Sequence, residues 1–225
     1  MTFSIVARCR KTGQFGMAIS SSSPAVAARC AFARAGVGAA ATQNVTNPAL
    51  GPAMLDRLAS GKDAQTAVEE AVSGDGFAAY RQLIAIGRDG PPAIHSGPNA
   101  LGVWSSARGE DCAAGGNLLA EESVPQKMVT AFDASDGTLA ERLISAMRAG
   151  LAAGGEAGPV HSAGLLVVDE RDWPYIELRC DWLAEACPIA NIAAALKTYQ
   201  PQADDYVTRA LNPAAAPSYG VPGDE

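Results

Sequence analysis

Histidine is nearly missing from this chain of 225 residues: only His95 and His161 occur, and no His, Asp, Glu or Cys cluster has metal-ligand spacing, so no metal site is expected. The five cysteines, Cys9, Cys30, Cys112, Cys180 and Cys187, are odd in number and scattered without a CxxC pair. That pattern excludes a disulfide framework and a zinc ribbon, and the thiols read as reduced and mostly buried. With two imidazoles to serve as partners, a cysteine nucleophile has little support. No GxGxxG carries a strand into a helix and no GxxxxGK[ST] occurs, so no nucleotide cofactor is expected, and none of any other kind. Lys and Arg never form a run, and a formal net charge of -7 with an isoelectric point near 4.9 argues against a nucleic-acid surface. No stretch approaches the roughly 18 apolar residues that span a bilayer, and no basic-then-apolar leader opens the chain. These absences set the expectation of a cytoplasmic protein that contacts neither nucleic acid nor membrane.

What is present suits a folded domain: 48% hydrophobic and 18% charged residues are enough for a full core. Residues 2 to 8 and 14 to 20 flank a Lys11-Thr12-Gly13 turn and predict a β-hairpin. A Ser-rich stretch, Ser20 to Ser23, runs into Pro24, and residues 36 to 43 offer a strand of small residues that permits close backbone approach. Leu50, Met54, Leu55 and Leu58 recur at helical spacing, with Gly61 as a stop and a second short helix from Thr66. A further hairpin is expected from 80 to 97 around Arg88-Asp89-Gly90, and β character from Gly102 to Leu119. Val124, Met128 and Phe132 make one helical stripe, and Leu139, Leu143, Met147 and Leu151 another. Residues 165–168 and 175–179 read as late strands, and Ile189, Ile192 and Leu196 as a closing helix. The periodicity stops after Tyr199, so a domain is expected over 1–199. Residues 200–225 form a tail rich in Pro, Ala and Gly, expected to lie extended or partly disordered.

Strands, two helices, strands, two helices, strands, helix is the order of an α+β fold with helices covering sheets, unlike the single alternation of a Rossmann fold. A four-layer αββα sandwich fits it. The first strand also carries the most suggestive residue, because a threonine directly behind the initiator methionine becomes N-terminal if Met1 is removed. Its α-amine, with an ordinary pKa of about 7.7–8.0, is then a built-in base for its own hydroxyl. The plainer account is a β-branched residue that starts a strand.

Several segments in one order resemble a known family. They are MTFSIVAR at the start, SSSPAVAA at 21–28, ARAGVGAAATQ at 33–43, Asn47-Pro48 with Gly51, GGNLLA at 115–120, HSAGLLVV at 161–168 and LRCD at 178–181. Together they are similar to the domain-of-unknown-function family 1028, over about residues 2 to 199. That family is in turn similar in fold to the N-terminal nucleophile (Ntn) hydrolases. The resemblance implies the αββα sandwich, an active site near the start of the first strand and Thr2 as the nucleophile position. It implies hydrolysis of a small or peptide-like amide, with no established substrate. Where the family carries a second acidic residue after the LRxD aspartate, this chain has Trp182.

Such chemistry needs a nucleophile, a proton shuttle, oxyanion donors and groups that orient the amine. Thr2 supplies the first two. Asn117, behind two glycines, is the candidate oxyanion donor through its NH₂, or else a turn residue. Ser21 and Ser23 are candidates to bind the amine or substrate, or simply bond their own loop. Thr42, Gln43 and Asn47 are expected near the pocket, with solvent-facing strand ends as the alternative. Ser162 and Asp181 are candidates to tune the amine, Asp181 competing with a salt bridge to Arg179. His161 reads as weaker, on a glycine-flanked, mobile loop. The alternative function is a non-catalytic binding or assembly protein that keeps Met1 over Thr2. In either case a homo-oligomer is expected, since symmetric dimers are commonest among soluble enzymes.

Overall fold

Ten strands and seven α-helices follow one another in a computed structural model that describes residues 1–223. The opening hairpin pairs β1 (Thr2–Arg8) with β2 (Phe15–Ser21), and Gly13 takes the positive φ of 75° that its turn requires. Then come α1 (Val26–Cys30), β3 (Ala31–Arg34), β4 (Gly38–Asn44), α2 (Leu50–Ala59), α3 (Ala64–Ser73), β5 (Arg81–Gly87) and β6 (Ala93–Ser96). The second half holds β7 (Ser105–Arg108), β8 (Cys112–Asn117), α4 (Val124–Ala134), α5 (Leu139–Ala152), β9 (Ser162–Val168), β10 (Ile176–Cys180), α6 (Pro188–Tyr199) and α7 (Ala203–Leu211). All strand pairs are antiparallel, in a six-stranded sheet of order β10-β9-β2-β1-β8-β7 and a four-stranded sheet of order β3-β4-β5-β6. This is the mixed α+β class expected from the order of elements.

The period of two in β1 divides its side chains between two environments. Phe3, Ile5 and Ala7 join a core with Met128 and Phe132 of α4, Leu143 and Met147 of α5 and Ile192 of α6. Val6 joins Met17 and Ile19 of β2 in a second core that takes in Ala39 and Ala41 of β4 and Ile84 and Ile86 of β5, so it links the two sheets. A third core joins Ala40, Leu83 and Ala85 of the four-stranded sheet to Met54, Leu55 and Leu58 of α2 and Ala67 and Val68 of α3. The stripes of α2, α4 and α5 are therefore the faces that cover sheets. Alanine and glycine dominate β4 and β8 where the sheets meet, and a Cβ on Gly115 would stand 2.9 Å from Ile84 Cδ1.

Helix ends follow local chemistry. Asp63 accepts the Thr66 N–H to start α3, and Thr138 with Glu141 forms a reciprocal capping box at α5. The main departure from the sequence reading is the tail, expected to be extended after Tyr199, of which residues 203–211 form α7. Asp204 and Asp205 in its first turn and Arg209 in its last complement the helix dipole, and Tyr206 stacks on Tyr199 of α6 at 5.4 Å. Ala203, Tyr206, Val207, Ala210 and Leu211 stand at helical spacing, a stripe obscured by the Pro- and Ala-rich composition around it. The five cysteines are unpaired, and three of them, Cys30, Cys112 and Cys180, are buried. Among the described residues no helix is long and apolar enough to cross a membrane.

Phe132 is fully buried where α4 meets the six-stranded sheet, and Arg142 lies over its ring. Phe132→Ala is expected to lower the unfolding free energy by about 3–5 kcal/mol, read from the urea midpoint at unchanged denaturant slope.

Candidate functional site

One end of the molecule collects the start of β1 and the strand ends around it. Thr2 pairs with Asn117 at the end of β8, and on the other edge Phe3 pairs with Ser20, one residue before the end of β2. Alternation sends Thr2, Ser4 and Val6 to the same face, and Ser21 shares that face with Ile19 and Met17. Thr2 Oγ1 and Ser21 Oγ lie 3.4 Å apart, and both hydroxyls hydrogen-bond the carbonyl oxygen of Met1. Ser21 Oγ also accepts the Ser23 N–H at 3.0 Å. The Met1–Thr2 peptide is thus gripped by a threonine and a serine hydroxyl.

Beneath this grip runs a buried layer of amides. Gln43 Nε2 donates to the Gly115 carbonyl at 3.2 Å and to Gln82 Oε1 at 2.8 Å, while Gln43 Oε1 accepts from Ser4 Oγ at 2.7 Å. Gln82 Nε2 donates to the Gly116 carbonyl at 3.2 Å and to Ser96 Oγ at 3.1 Å. Main-chain carbonyls accept only, so they fix which way both glutamines face. Gln82 consequently turns its oxygen to Asn117, whose Nδ2 donates to it at 3.4 Å. Asn117 Oδ1 is left buried without a partner. The NH₂ expected to face a developing oxyanion is therefore directed at Gln82, and the free atom of Asn117 is an acceptor.

The residue that sequence reasoning missed is Glu156. It is 3% exposed, and both carboxylate oxygens receive the Ser22 N–H, at 3.1 and 3.0 Å. Its main chain bridges to Leu119 just beyond β8, and Ala157 N–H bonds the Leu118 carbonyl at 3.0 Å. Gly154 and Gly155 turn the chain into this position at φ 110° and 57°, a region closed to most side chains. Those same glycines suggested a mobile loop in the sequence; they instead dock an extension of the sheet. A lone carboxylate amid Gly154, Gly155 and Gly158 was the available signal. Burial pushes Glu156 up to about 7, against the Ser22 hydrogen bond, the N-terminal ammonium and His161, all of which pull it down.

The remaining expected site residues are engaged in contacts within the fold. Gln43 is fully buried in the amide layer rather than lining a pocket. Thr42 points the other way along β4, with Ala40, and donates to the Asn47 carbonyl at 3.2 Å. Asn47 Oδ1 accepts the Ala49 N–H at the approach to α2. Ser162 Oγ donates to the Ser23 carbonyl at 2.6 Å and accepts the Val26 N–H, which ties down the loop after β2. The carboxylate of Asp181 is exposed and paired with Arg179 at 2.9 Å, the plainer of its two accounts, while its carbonyl accepts the Ala25 N–H. His161 packs on Trp182 with ring centroids 4.5 Å apart and bonds the Leu183 carbonyl through Nδ1. Among the described residues no three His, Cys, Asp or Glu side chains gather to hold a metal.

Residues 2–192 match the family model described as a family of unknown function, DUF1028. A crystal structure of a Silicibacter pomeroyi protein carrying the same family label is similar at 30% identity with a TM-score of 0.82, over 88% of this chain and 89% of that one. More distant is an Anbu mutant from Hyphomicrobium sp. strain MC1, at 16% identity and a TM-score of 0.43 over 92% of this chain and 99% of that one. Anbu from Yersinia bercovieri, an ancestral beta-subunit, gives 13% and 0.36 over 89% and 97%. No curated protein matches the chain.

Glu156 also makes stability depend on pH. Its ordinary value is 4.5 and its folded value is raised to about 7, so the folded state holds the proton more tightly than the unfolded state. The stabilisation is therefore complete below the unfolded value and is lost as pH rises through the folded one. Urea unfolding at about pH 5 and about pH 8 is expected to show a loss on the order of 2–3 kcal/mol at the higher pH, and Glu156→Gln to flatten that slope.

Proposed function

The chain belongs to DUF1028, a family of unknown function, and from that premise we propose that it hydrolyses a small or peptide-like amide (C–N) bond, with Thr2 as nucleophile once Met1 is removed. The observation that supports this reading is the constellation at the start of β1. A threonine hydroxyl stands beside the Ser21 hydroxyl, opposite the unpaired Asn117 oxygen and near a buried carboxylate, at the place where a free α-amine would arise. In this reading the two antiparallel sheets and their helices stack as the αββα sandwich of Ntn hydrolases. The division of the core into helix-to-sheet, sheet-to-sheet and sheet-to-helix parts supports that stacking.

The chemistry uses the chain's own groups. The free amine of Thr2 takes the Oγ1 proton through a water, and Oγ1 attacks the amide carbonyl carbon. Ser21 Oγ, which already donates to the Met1 carbonyl, donates to the oxyanion that forms. The protonated amine then hands its proton to the leaving nitrogen, the C–N bond breaks, and water hydrolyses the acyl ester on Thr2. No metal or cofactor enters this scheme. Val45, Tyr80, Leu101, Val103 and Trp104 are exposed on loops that continue the strand ends of this same end, which suits a substrate with an apolar body. A cytoplasmic homo-oligomer completes the proposal.

A second reading draws on the Met1 carbonyl itself. With methionine retained, the Thr2 and Ser21 hydroxyls stay occupied and the protein is a non-catalytic binding or assembly protein. Intact mass of protein purified from its own cells separates the two, and the amidase expects a mass without Met1. On that form, Thr2→Ala is expected to cut turnover in an amide and ureide screen by at least about 10⁴-fold. The melting temperature is expected to move by no more than about 4 °C. Methionine retained throughout, or full activity in Thr2→Ala, overturns Thr2 as the nucleophile.

A further inference from the structure

We infer that Glu156 is a positioning residue: it is the anionic receptor that holds the α-ammonium at the start of β1 and sets how readily that amine gives up its proton. The inference rests on the proposal above, in which Thr2 bears that amine.

Topology places the carboxylate in line with the chain's start. β1 lies between β2 and β8, so the residue before Thr2 falls between Ser22 on one side and Leu118 on the other. Glu156 spans this gap, its main chain bridged to Leu119 beyond β8 and its side chain on the Ser22 N–H beyond β2. It closes the end of β1 from both neighbours at once. The main chain beside it is left-handed at Leu118, φ 51°, where a side chain makes that conformation costly, and at Gly155, φ 57°, where glycine permits it.

The surroundings of the carboxylate lack what a buried anion needs. It is 3% exposed, among the described residues its hydrogen bonds come from Ser22, whose N–H serves both oxygens and whose hydroxyl also acts on it, and no Lys or Arg pairs with it. A buried carboxylate has about four acceptor positions and is costly to keep ionised without a cation. The positive groups that act on it are the Met1 ammonium, one residue before the position where the Thr2 amine would arise, and His161, which is turned to Trp182 and the Leu183 carbonyl. A second unfilled acceptor is independent of Glu156. Asn117 Oδ1, directly across from Thr2 in register, is buried and unpaired because the glutamine layer claims the NH₂. Removal of Met1 also frees Ser21 Oγ from the carbonyl it now binds. An ammonium has three N–H groups, and these three oxygens are the acceptors offered to it.

A nearby anion favours the charged form of an amine, so Glu156 raises the Thr2 pKa and its loss lowers it. The test is an NMR titration of the full chain without Met1, with ¹⁵N in the threonine amine and ¹³C in the glutamate carboxyls. Amine and Glu156 are expected to titrate as a coupled pair, each signal sensing both steps, with the amine above the ordinary range of about 7.7–8.0. Glu156→Gln is expected to weaken proton binding at the amine about tenfold, and Glu156→Asp to restore most of it. In any substrate assay the acid limb of kcat/KM moves to lower pH by the same amount in Glu156→Gln. An amine titration identical in wild type and Glu156→Gln overturns the inference. If that variant does not fold, independent titration of the two groups in the wild type overturns it equally. Neither measurement needs a substrate. Coupled titration in a protein that turns over no amide would therefore sink the hydrolase reading and leave this one standing, and turnover without coupling would do the reverse.

Discussion

Everything at the candidate site depends on β1 being paired along both edges. A strand flanked by β2 and β8 is paired on both edges from Phe3 onward, and its first residue, Thr2, is paired to Asn117 of β8. The usual freedom near a chain terminus is thereby reduced at the position where the proposed chemistry needs a fixed direction. The period of two then does the sorting: Phe3, Ile5 and Ala7 anchor the strand on the helices, and Thr2 is left on the face toward the amide layer.

That layer is a polar solution to a packing problem. Where the sheets approach through alanine and glycine, the carbonyls of Gly115 and Gly116 are reached by Gln43 and Gln82, so these backbone groups have side-chain donors from the opposite sheet. Each amide is oriented by a group that can only accept, and the direction passes from glycine carbonyl to glutamine to asparagine. Buried networks of this kind are costly when incomplete. This one is complete except at its last atom, Asn117 Oδ1, which lies in the row of the sheet where Thr2 stands.

The sequence made most of the framework legible because each element follows a strong local rule. The Lys11-Thr12-Gly13 hairpin, the α2, α4 and α5 stripes and the late strands all come from periods of 2 or 3.6 tied to burial. Two elements obeyed weaker rules. α1 has only five residues behind a cap, Ala25, in a left-handed conformation, and the apolar stripe of α7 is a short one set in a Pro- and Ala-rich tail. At the site, Thr2 and Ser21 were readable because strand ends expose their addresses. Asn117 was located but its polarity was not, since only the contacts of Gln82 decide which end of the amide is free. Glu156 was out of reach because its role comes from a bridge to Leu119 and a bond to Ser22, both distant in sequence. The glycines around it carry the same signature in a docked turn as in a loose loop.

The partners of β1 are far from it along the chain, and this orders events during synthesis. Thr2 emerges from the ribosome well ahead of Asn117 and Glu156, which follow more than a hundred residues later. At roughly 5–20 residues per second, that is a delay of several seconds. During the delay β1 has only its hairpin partner, and the Met1–Thr2 bond is open to an aminopeptidase. Once β8 and the Gly154–Gly155 turn close over it, Thr2 is 7% exposed. In the proposed amidase, trimming of Met1 therefore competes with strand addition for the start of β1, although Met1 itself stays 37% exposed in the finished domain.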